Sequence, residues 1–340
     1  MKVVIAPDSY KECLSAREVA DALARALSMR GATPLCVPLS DGGEGTVDVL
    51  TAALGGEIRT ATVSDPLGRP VEAAFGIVPG GTAIIEVAAA CGLSLLSPEE
   101  RNPLKASSRG VGELILRAYA EGCRHFIVGL GGTATCDGGE GMLSLLRGAF
   151  RPGEAGFEIL CDVRAPFTGP EGAARIFAPQ KGASPEEVEI LERRMLSLAE
   201  NILSETGKDV RGMPGAGAAG GLGGAFMAYF DAALCSGIDR IIGMTGFEAA
   251  VAGADLIITG EGRSDYQTLS GKVPYGVLRH SGGVPVILLS GEIEDREELL
   301  GAGFADLIQV TPDGTPLQEA LRPDTALRNL REAAGRIHFD

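Results

Sequence analysis

The sequence predicts an α/β protein in which a second α/β domain is inserted into a first, mostly parallel-sheet domain. Three observations lead there. Short β-branched runs recur, most of them lead into a glycine-rich turn and then a helical pattern, and one stretch breaks the rhythm with consecutive strands. The runs fall at residues 3–6, 35–39, 82–88, 126–130, 159–161, 256–259, 286–289 and 307–310. Strands alternating with helices at this spacing place ligand sites beyond the carboxyl ends of the strands.

In chain order, the run at 3–6 ends in Pro7-Asp8-Ser9-Tyr10-Lys11, and Ser15-Ala16-Arg17-Glu18 then has capping-box form. Val19, Leu23 and Leu27 follow at i, i+4, i+8, the spacing of one buried helix face. From 61 to 88 two or three strands succeed one another across turns at Asp65-Pro66-Leu67-Gly68 and Pro79-Gly80-Gly81, which predicts antiparallel pairing and entry into the inserted domain. Ser184-Pro185-Glu186-Glu187 opens another helix, whose Val188, Leu191, Met195, Leu198 and Ile202 make one apolar stripe. The last third returns to strand–helix alternation and could complete the sheet begun at 3–6. The expected domains are 1–60 plus 236–340, and 61–235, together fitting a chain of 340 residues.

Composition narrows the function. The longest uncharged stretch, 212–230, holds seven glycines and reads as a loop entering a helix rather than a membrane span. The amino terminus reads as a strand and turn, not a signal peptide, so a cytoplasmic location is expected. Seven cysteines without a CxxC pair fit buried thiols in a reducing compartment and give a structural zinc site almost no support. A net charge of −15 with no Lys/Arg cluster argues against a nucleic-acid partner. Glycine is the informative excess, 49 residues in clumps, which implies tight turns or close backbone-to-ligand approaches.

The string Asp-Gly-Gly-Glu-Gly occurs twice, at 41–45 and 137–141, each time opening a helix. Free N–H groups and the helix dipole favour an anion there, and glycine lets a phosphate approach the backbone. An acidic cap with turn glycines is the alternative. The loop Thr259-Gly260-Glu261-Gly262-Arg263-Ser264-Asp265, leading to Gly271-Lys272, combines both charge signs at a strand end. Its carboxylates could hold Mg²⁺ and its cations neutralise phosphate, and Asp8 with Lys11 offers the same pairing. Gly129-Leu130-Gly131-Gly132-Thr133-Ala134-Thr135 reads equally as a ligand loop or a glycine-lined packing turn, and Lys181 as an added cation or a solvated lysine. Residues 215–220 match GxGxxG only formally, because no convincing strand precedes them. No GxxxxGK[ST], GxSxG or protein-kinase signature is present, and His125, His280 and His338 lie outside every motif. Carboxylates are left as bases, which suits phosphoryl transfer to a hydroxyl.

Taken together the loops resemble the bacterial glycerate kinase family. The collinear pieces are VVIAPDSYKECLSA, PLSDGGEGT, SDPLGRPV, IIEVAAACGL, RNPLKASSRGVGELI, GLGGTATCDGGEGM, CDV with FAPQKGAS, PGAGAAGGLGGA and ADLIITGEGRSDYQTLSGKVPYGV. The resemblance implies a flavodoxin-like, Rossmann-like parallel-sheet domain interrupted by an inserted α/β domain. It also implies ATP and Mg²⁺, D-glycerate as substrate in glyoxylate and sugar-acid metabolism, and 2-phosphoglycerate as product, with the 3-isomer made by related enzymes. The motif match carries candidate roles onto residues of this chain. Asp8, Lys11, Asp41, Asp265 and Lys272 become catalytic candidates, and Asp41, Glu261 and Asp265 metal ligands. Ser9, Gly42, Gly43, Glu44, Gly131, Gly132, Thr133, Asp137, Gln180, Lys181 and Arg263 become substrate or phosphate contacts.

Ser264, Tyr266, Cys136 and Glu140 depart from the family's pattern, and the segment 147–158 is far shorter than the family's, with Arg151-Pro152-Gly153 offering a tight reconnection. Two other functions stay open at this level: a dinucleotide-dependent hydroxy-acid dehydrogenase built on 215–220, and a non-catalytic small-molecule-binding relative. The sequence does not set the oligomeric state, and a homodimer is one option.

Overall fold

The computed structural model describes residues 1–151 and 153–338. They gather into two compact units, Met1–Asp41 with Ile238–Asp340, and Gly42–Gly237. The sequence reading set its domain changes at 60/61 and 235/236. Residues 42–60 group with the second unit because the helix Thr46–Ala53 packs on the strands Pro70–Val78 and Thr82–Glu86.

The first unit holds a five-stranded, wholly parallel sheet in the spatial order Asp306–Gln309, Val286–Ser290, Leu256–Thr259, Lys2–Ile5, Thr33–Cys36. In chain order this is 2-1-3-4-5, a doubly wound arrangement whose direction reverses between Lys2–Ile5 and Leu256–Thr259. Strands covered on both faces should be apolar throughout, and Val3, Val4, Ile5 and all of Leu256–Thr259 are buried. The strand expected at 35–39 is Thr33–Cys36, but Val37 and Leu39 extend its ladder by donating to Ile5 O and Pro7 O at 2.8 and 3.0 Å. The helix Ala16–Ser28 begins with the expected capping box at Ser15 and Glu18 and buries Val19, Leu23 and Leu27.

The second unit holds a six-stranded sheet in chain order: Glu57–Ser64, Pro70–Val78, Thr82–Glu86, His125–Gly129, Gly156–Leu160, Ala233–Cys235. The first two pairings are antiparallel, as the turn signals predict, and the remaining three are parallel. Asp65 makes the first turn by accepting N–H bonds from Leu67 and Arg69 at 2.8 Å and the Arg69 side chain at 2.6 Å. The strand Ala233–Cys235, three residues long, is too short to show a pattern in sequence. Phe75, Phe126 and Phe226 sit in the core of this sheet, and Phe126 stacks on Phe157 with ring centroids 4.9 Å apart. The helix Pro185–Thr206 buries the whole predicted stripe, and residues 212–230 form turns leading into the helix Leu222–Phe230. In the short segment 147–158, Phe150 packs on Tyr119 and Phe157, while Pro152 lies outside the described residues. Among the described residues no helix is long and apolar enough to cross a membrane.

Candidate active site

In the first unit, hydrogen bonds continue past the ends of the two central strands. Ala6 N–H donates to Ile258 O and Asp8 N–H to Gly260 O, both at 2.8 Å, so Asp8-Ser9 runs beside Gly260-Glu261. The bond from Leu39 to Pro7 O brings the segment that ends in Asp41 to the same edge. Gly260 is required there, since a Cβ would lie 1.7 Å from Leu289 O. Buried Tyr10 ties down the first loop by donating its hydroxyl to Leu289 O at 2.9 Å. The result is a cavity of about 680 Å³ lined by Asp8, Ser9, Lys11, Asp41, Glu261, Arg263 and Lys272, together with residues between 309 and 326. It opens where the doubly wound sheet reverses, the usual ligand position in such folds.

Its electrostatics are those of a crowded acidic site with cations at hand. Asp8 is only 4% exposed, and burial and then the negative charge of Asp41 hold its carboxyl well above the usual range, against the Ser9 N–H bond at 2.7 Å and the charge of Lys11. Burial also raises the Glu261 carboxyl, opposed by Lys272 at 3.2 Å and by the hydroxyls of Thr268 and Ser264 at 2.7 and 3.0 Å. Ser264, buried completely, also shares a 2.7 Å hydroxyl contact with Ser290, so this departure from the family pattern serves to hold Glu261. The Ser9 hydroxyl is buried without a hydrogen-bond partner among the described residues. An orphaned hydroxyl at a cavity wall is what a bound ligand would satisfy.

Two predicted residues take other places. Arg263 lines the cavity but pairs with Glu294 at 2.7 Å. Asp265 does not line it; its carboxylate accepts the Gln267 N–H at 2.8 Å and caps the turn Tyr266–Ser270. The three carboxylates expected to hold a metal, Asp41, Glu261 and Asp265, are thus not gathered into one preformed cluster. Among the described residues no three His, Cys, Asp or Glu side chains are placed to hold one ion. One carboxylate is a cap, and Glu261 already accepts from three side chains.

The glycine loops of the second unit also differ from expectation. The helix Thr46–Ala53 starts after Gly45, whereas Glu140–Leu146 starts after Gly139, so the two identical strings enter their helices in different registers. At each helix start a carboxyl group of the protein accepts a backbone N–H. Glu86 accepts the Val47 N–H at 2.7 Å, and its carboxyl, raised chiefly by burial, reaches about 7. Asp137 accepts from Gly139 and Gly141 N–H at 3.1 and 3.2 Å and from Ser108 N–H and hydroxyl at 2.8 and 2.9 Å. For the second string the acidic-cap alternative is what the structure contains.

The remaining glycines bring backbones together. A Cβ at Gly129 would lie 2.2 Å from Gly42 O, and one at Gly131 would lie 2.8 Å from the Gly43 Cα. Gly131 and Gly132 are exposed, Thr133 is buried, and Lys181, 4% exposed, donates to Thr133 Oγ1 at 3.0 Å and Thr135 O at 2.7 Å. Burial lowers the Lys181 pKa, so the solvated-lysine alternative does not hold. Gln180 and Glu44 are exposed, and Gly43 is half-buried. Among the described residues the last regular element before the GxGxxG at 215–220 is the helix Pro185–Thr206, not a strand, and a Cβ at Gly217 would lie 2.1 Å from Pro166 O, so these glycines serve packing.

Sequence reasoning missed the cavity's second wall, residues 310–326, because its turns and short helix carry no motif. Val310 and Thr311 reach the site by donating to Ser290 O and Gly291 O at 2.8 and 3.0 Å, a tertiary pairing without a local signal.

Comparison with known proteins agrees with the resemblance. The sequence profile of the glycerate kinase family matches residues 3–151 and 147–339, the two stretches meeting in the segment expected to be short. A glycerate kinase of Bacillus subtilis (strain 168) is 41% identical over 354 residues, covering 94% of this chain and 93% of that protein. A glycerate 2-kinase of Escherichia coli (strain K12) is 43% identical over 328 residues, covering 87% and 86%. The crystal structure of a chain assigned as glycerate kinase 2 from Salmonella typhimurium LT2 superposes with a TM-score of 0.82 at 40% identity, covering 98% and 96%. The profile match across nearly the whole chain and these full-length likenesses place this chain in the glycerate kinase family.

Proposed function

We propose that this chain transfers the γ-phosphoryl group of ATP to a hydroxyl of D-glycerate in the cytoplasm, giving 2-phosphoglycerate. We also propose that it does so on a flavodoxin-like domain interrupted by an inserted α/β one. The observation that carries the chemistry is the set Asp8, Asp41, Lys11 and Lys272 around one cavity at the reversal of the sheet. A carboxylate whose pKa is raised, as that of Asp8 is, makes a better proton acceptor for an attacking hydroxyl near neutral pH. Lys11 and Lys272 lie where negative charge on a transferring group needs neutralising.

The residues present fit ATP with Mg²⁺. Mg²⁺ usually takes only one or two protein carboxylates alongside phosphate oxygens and water, so a three-acid cluster is not needed. Asp41 would hold it, which leaves Asp8, raised first by burial, as the proton acceptor. Bound there, Mg²⁺ would neutralise charge on the phosphates. The orphaned Ser9 hydroxyl is available to a phosphate oxygen. Lys181 and Thr133 are also proposed as substrate contacts. The dehydrogenase reading lacks its strand before Gly215.

Incubation with ATP, Mg²⁺ and D-glycerate, followed by phosphorus NMR, tests the proposal and reports which carbon is phosphorylated. The expected result is glycerate-dependent ADP formation with a 2-phosphoglycerate resonance. ATP hydrolysis independent of glycerate, or no turnover, counts against it.

A further inference from the structure

The cavity of the first unit has two unlike walls. One carries Asp8, Lys11, Asp41, Glu261 and Lys272; the other is built from Cys13, Val310, Pro312, Leu317, Leu321 and Ala326. Leu317 is 72% exposed although it lines this cavity. Burying a leucine side chain is worth about 1.5–3 kcal/mol, so a leucine held open at a cavity wall is a surface for a ligand's apolar face.

The wall is held in place. Gln309 donates to Thr311 O at 2.9 Å and to the Asp313 carboxylate at 2.8 Å, and accepts the Ile293 N–H at 3.3 Å, which fixes the turn 311–313. Thr315 hydroxyl donates to Pro312 O at 2.7 Å and sets the approach to the short helix Leu317–Ala320. A site arranged in advance binds without the cost of ordering a loop.

Glycerate does not match this wall. It has three carbons, each bearing oxygen, and gains nothing from six apolar neighbours. About 680 Å³ also far exceeds so small an acid. A nucleotide matches both walls at once, with a flat, apolar-faced base at one end and a polyanion at the other.

We propose that the wall formed by residues 310–326 receives the purine base of ATP, with the phosphate chain directed toward Lys11 and Lys272. The proposal rests on the kinase reading above and adds which unit holds the nucleotide and by which face. Leu317 is its specificity-determining contact: it touches the base and takes no part in phosphoryl transfer.

The test is calorimetric titration of the full chain with two probes, the non-hydrolysable analogue AMP-PNP with Mg²⁺, and inorganic tripolyphosphate with Mg²⁺. Leu317→Asp is expected to weaken AMP-PNP about tenfold or more and to leave tripolyphosphate affinity at the wild-type value. Leu300→Asp, a similarly exposed leucine (48%) that does not line the cavity, should change neither affinity. Leu317→Ser, expected to weaken AMP-PNP in the same direction, replaces the aspartate variant if that chain misfolds by circular dichroism. Equal AMP-PNP affinity in wild type and the Leu317 variants overturns the proposal, as does equal loss for both probes. If wild type binds AMP-PNP yet shows no glycerate-dependent turnover by phosphorus NMR, the kinase reading has failed and the base site stands. If turnover is present and Leu317 is silent, only the base site has failed.

Discussion

Lys272 Nζ lies 3.2 Å from Glu261 Oε2, and this pair joins the start of the helix Val273–Arg279 to the carboxyl end of the strand Leu256–Thr259. Lys272 thus faces a buried carboxyl group, and in the proposed function it also neutralises an incoming phosphate.

Lys272→Met should lower kcat by about 10² or more, as loss of a positioned charge in such a site does. It should also raise the Glu261 pKa further, because burial would then act against two hydroxyls alone. Lys272→Arg should recover part of kcat. Steady-state kinetics of both variants check this; wild-type kcat in Lys272→Met would assign the pair to structure.

Asp8 gives a pH effect of definite sign. Its folded pKa is raised above the unfolded value, so the folded state holds the proton to higher pH. Stability therefore falls as pH rises from the ordinary carboxylate range through the raised pKa, and the loss stays in place above it. Asp8→Asn removes that loss. The variant should melt higher than wild type at pH 8, match it at pH 3, and lose about 10² or more in kcat. Scanning calorimetry at the two pH values, paired with kinetics, measures both sides.

Glu86 carries the same sign in a narrower window. Its carboxyl titrates near 7 at the start of the helix Thr46–Ala53, so its contribution weakens from the ordinary glutamate range up to about pH 7 and is level beyond. The gap in Tm between Glu86→Gln and wild type should widen in favour of the variant between pH 5 and pH 8. A gap that does not change with pH would mean that the helix N–H groups keep Glu86 ionised throughout.

Lys181 separates binding from folding. Methionine in its place fits a buried site but removes the charge next to Thr133, so Lys181→Met should raise the KM for glycerate about tenfold and change Tm by only a few degrees. A large drop in Tm with unchanged KM would instead make Lys181 a clamp on the loop 133–135.

Local chemistry was legible in the sequence. Ser15 with Glu18, and Ser184 with Glu187, announce two helices because a capping box needs only four consecutive residues. The stripe from Val188 to Ile202 and the Asp65 turn are local in the same way. So are the loops with Asp8, Asp41, Glu261 and Lys272, whose position at strand ends follows from the alternation of strands and helices. Which charges meet was decided only by the tertiary structure. Glu86 is 39 positions from the helix start it caps, and Ser108 is 29 positions from the Asp137 it satisfies, so the identical acidic strings gave no sign of which anion would fill their helix ends. The apolar wall at 310–326 likewise becomes part of a site only because parallel pairing sets Gln309 beside Ser290. Sequence patterns report what a segment can do with its near neighbours. Sheet order and burial decide which distant segments become neighbours, and in this protein those choices shaped the cavity.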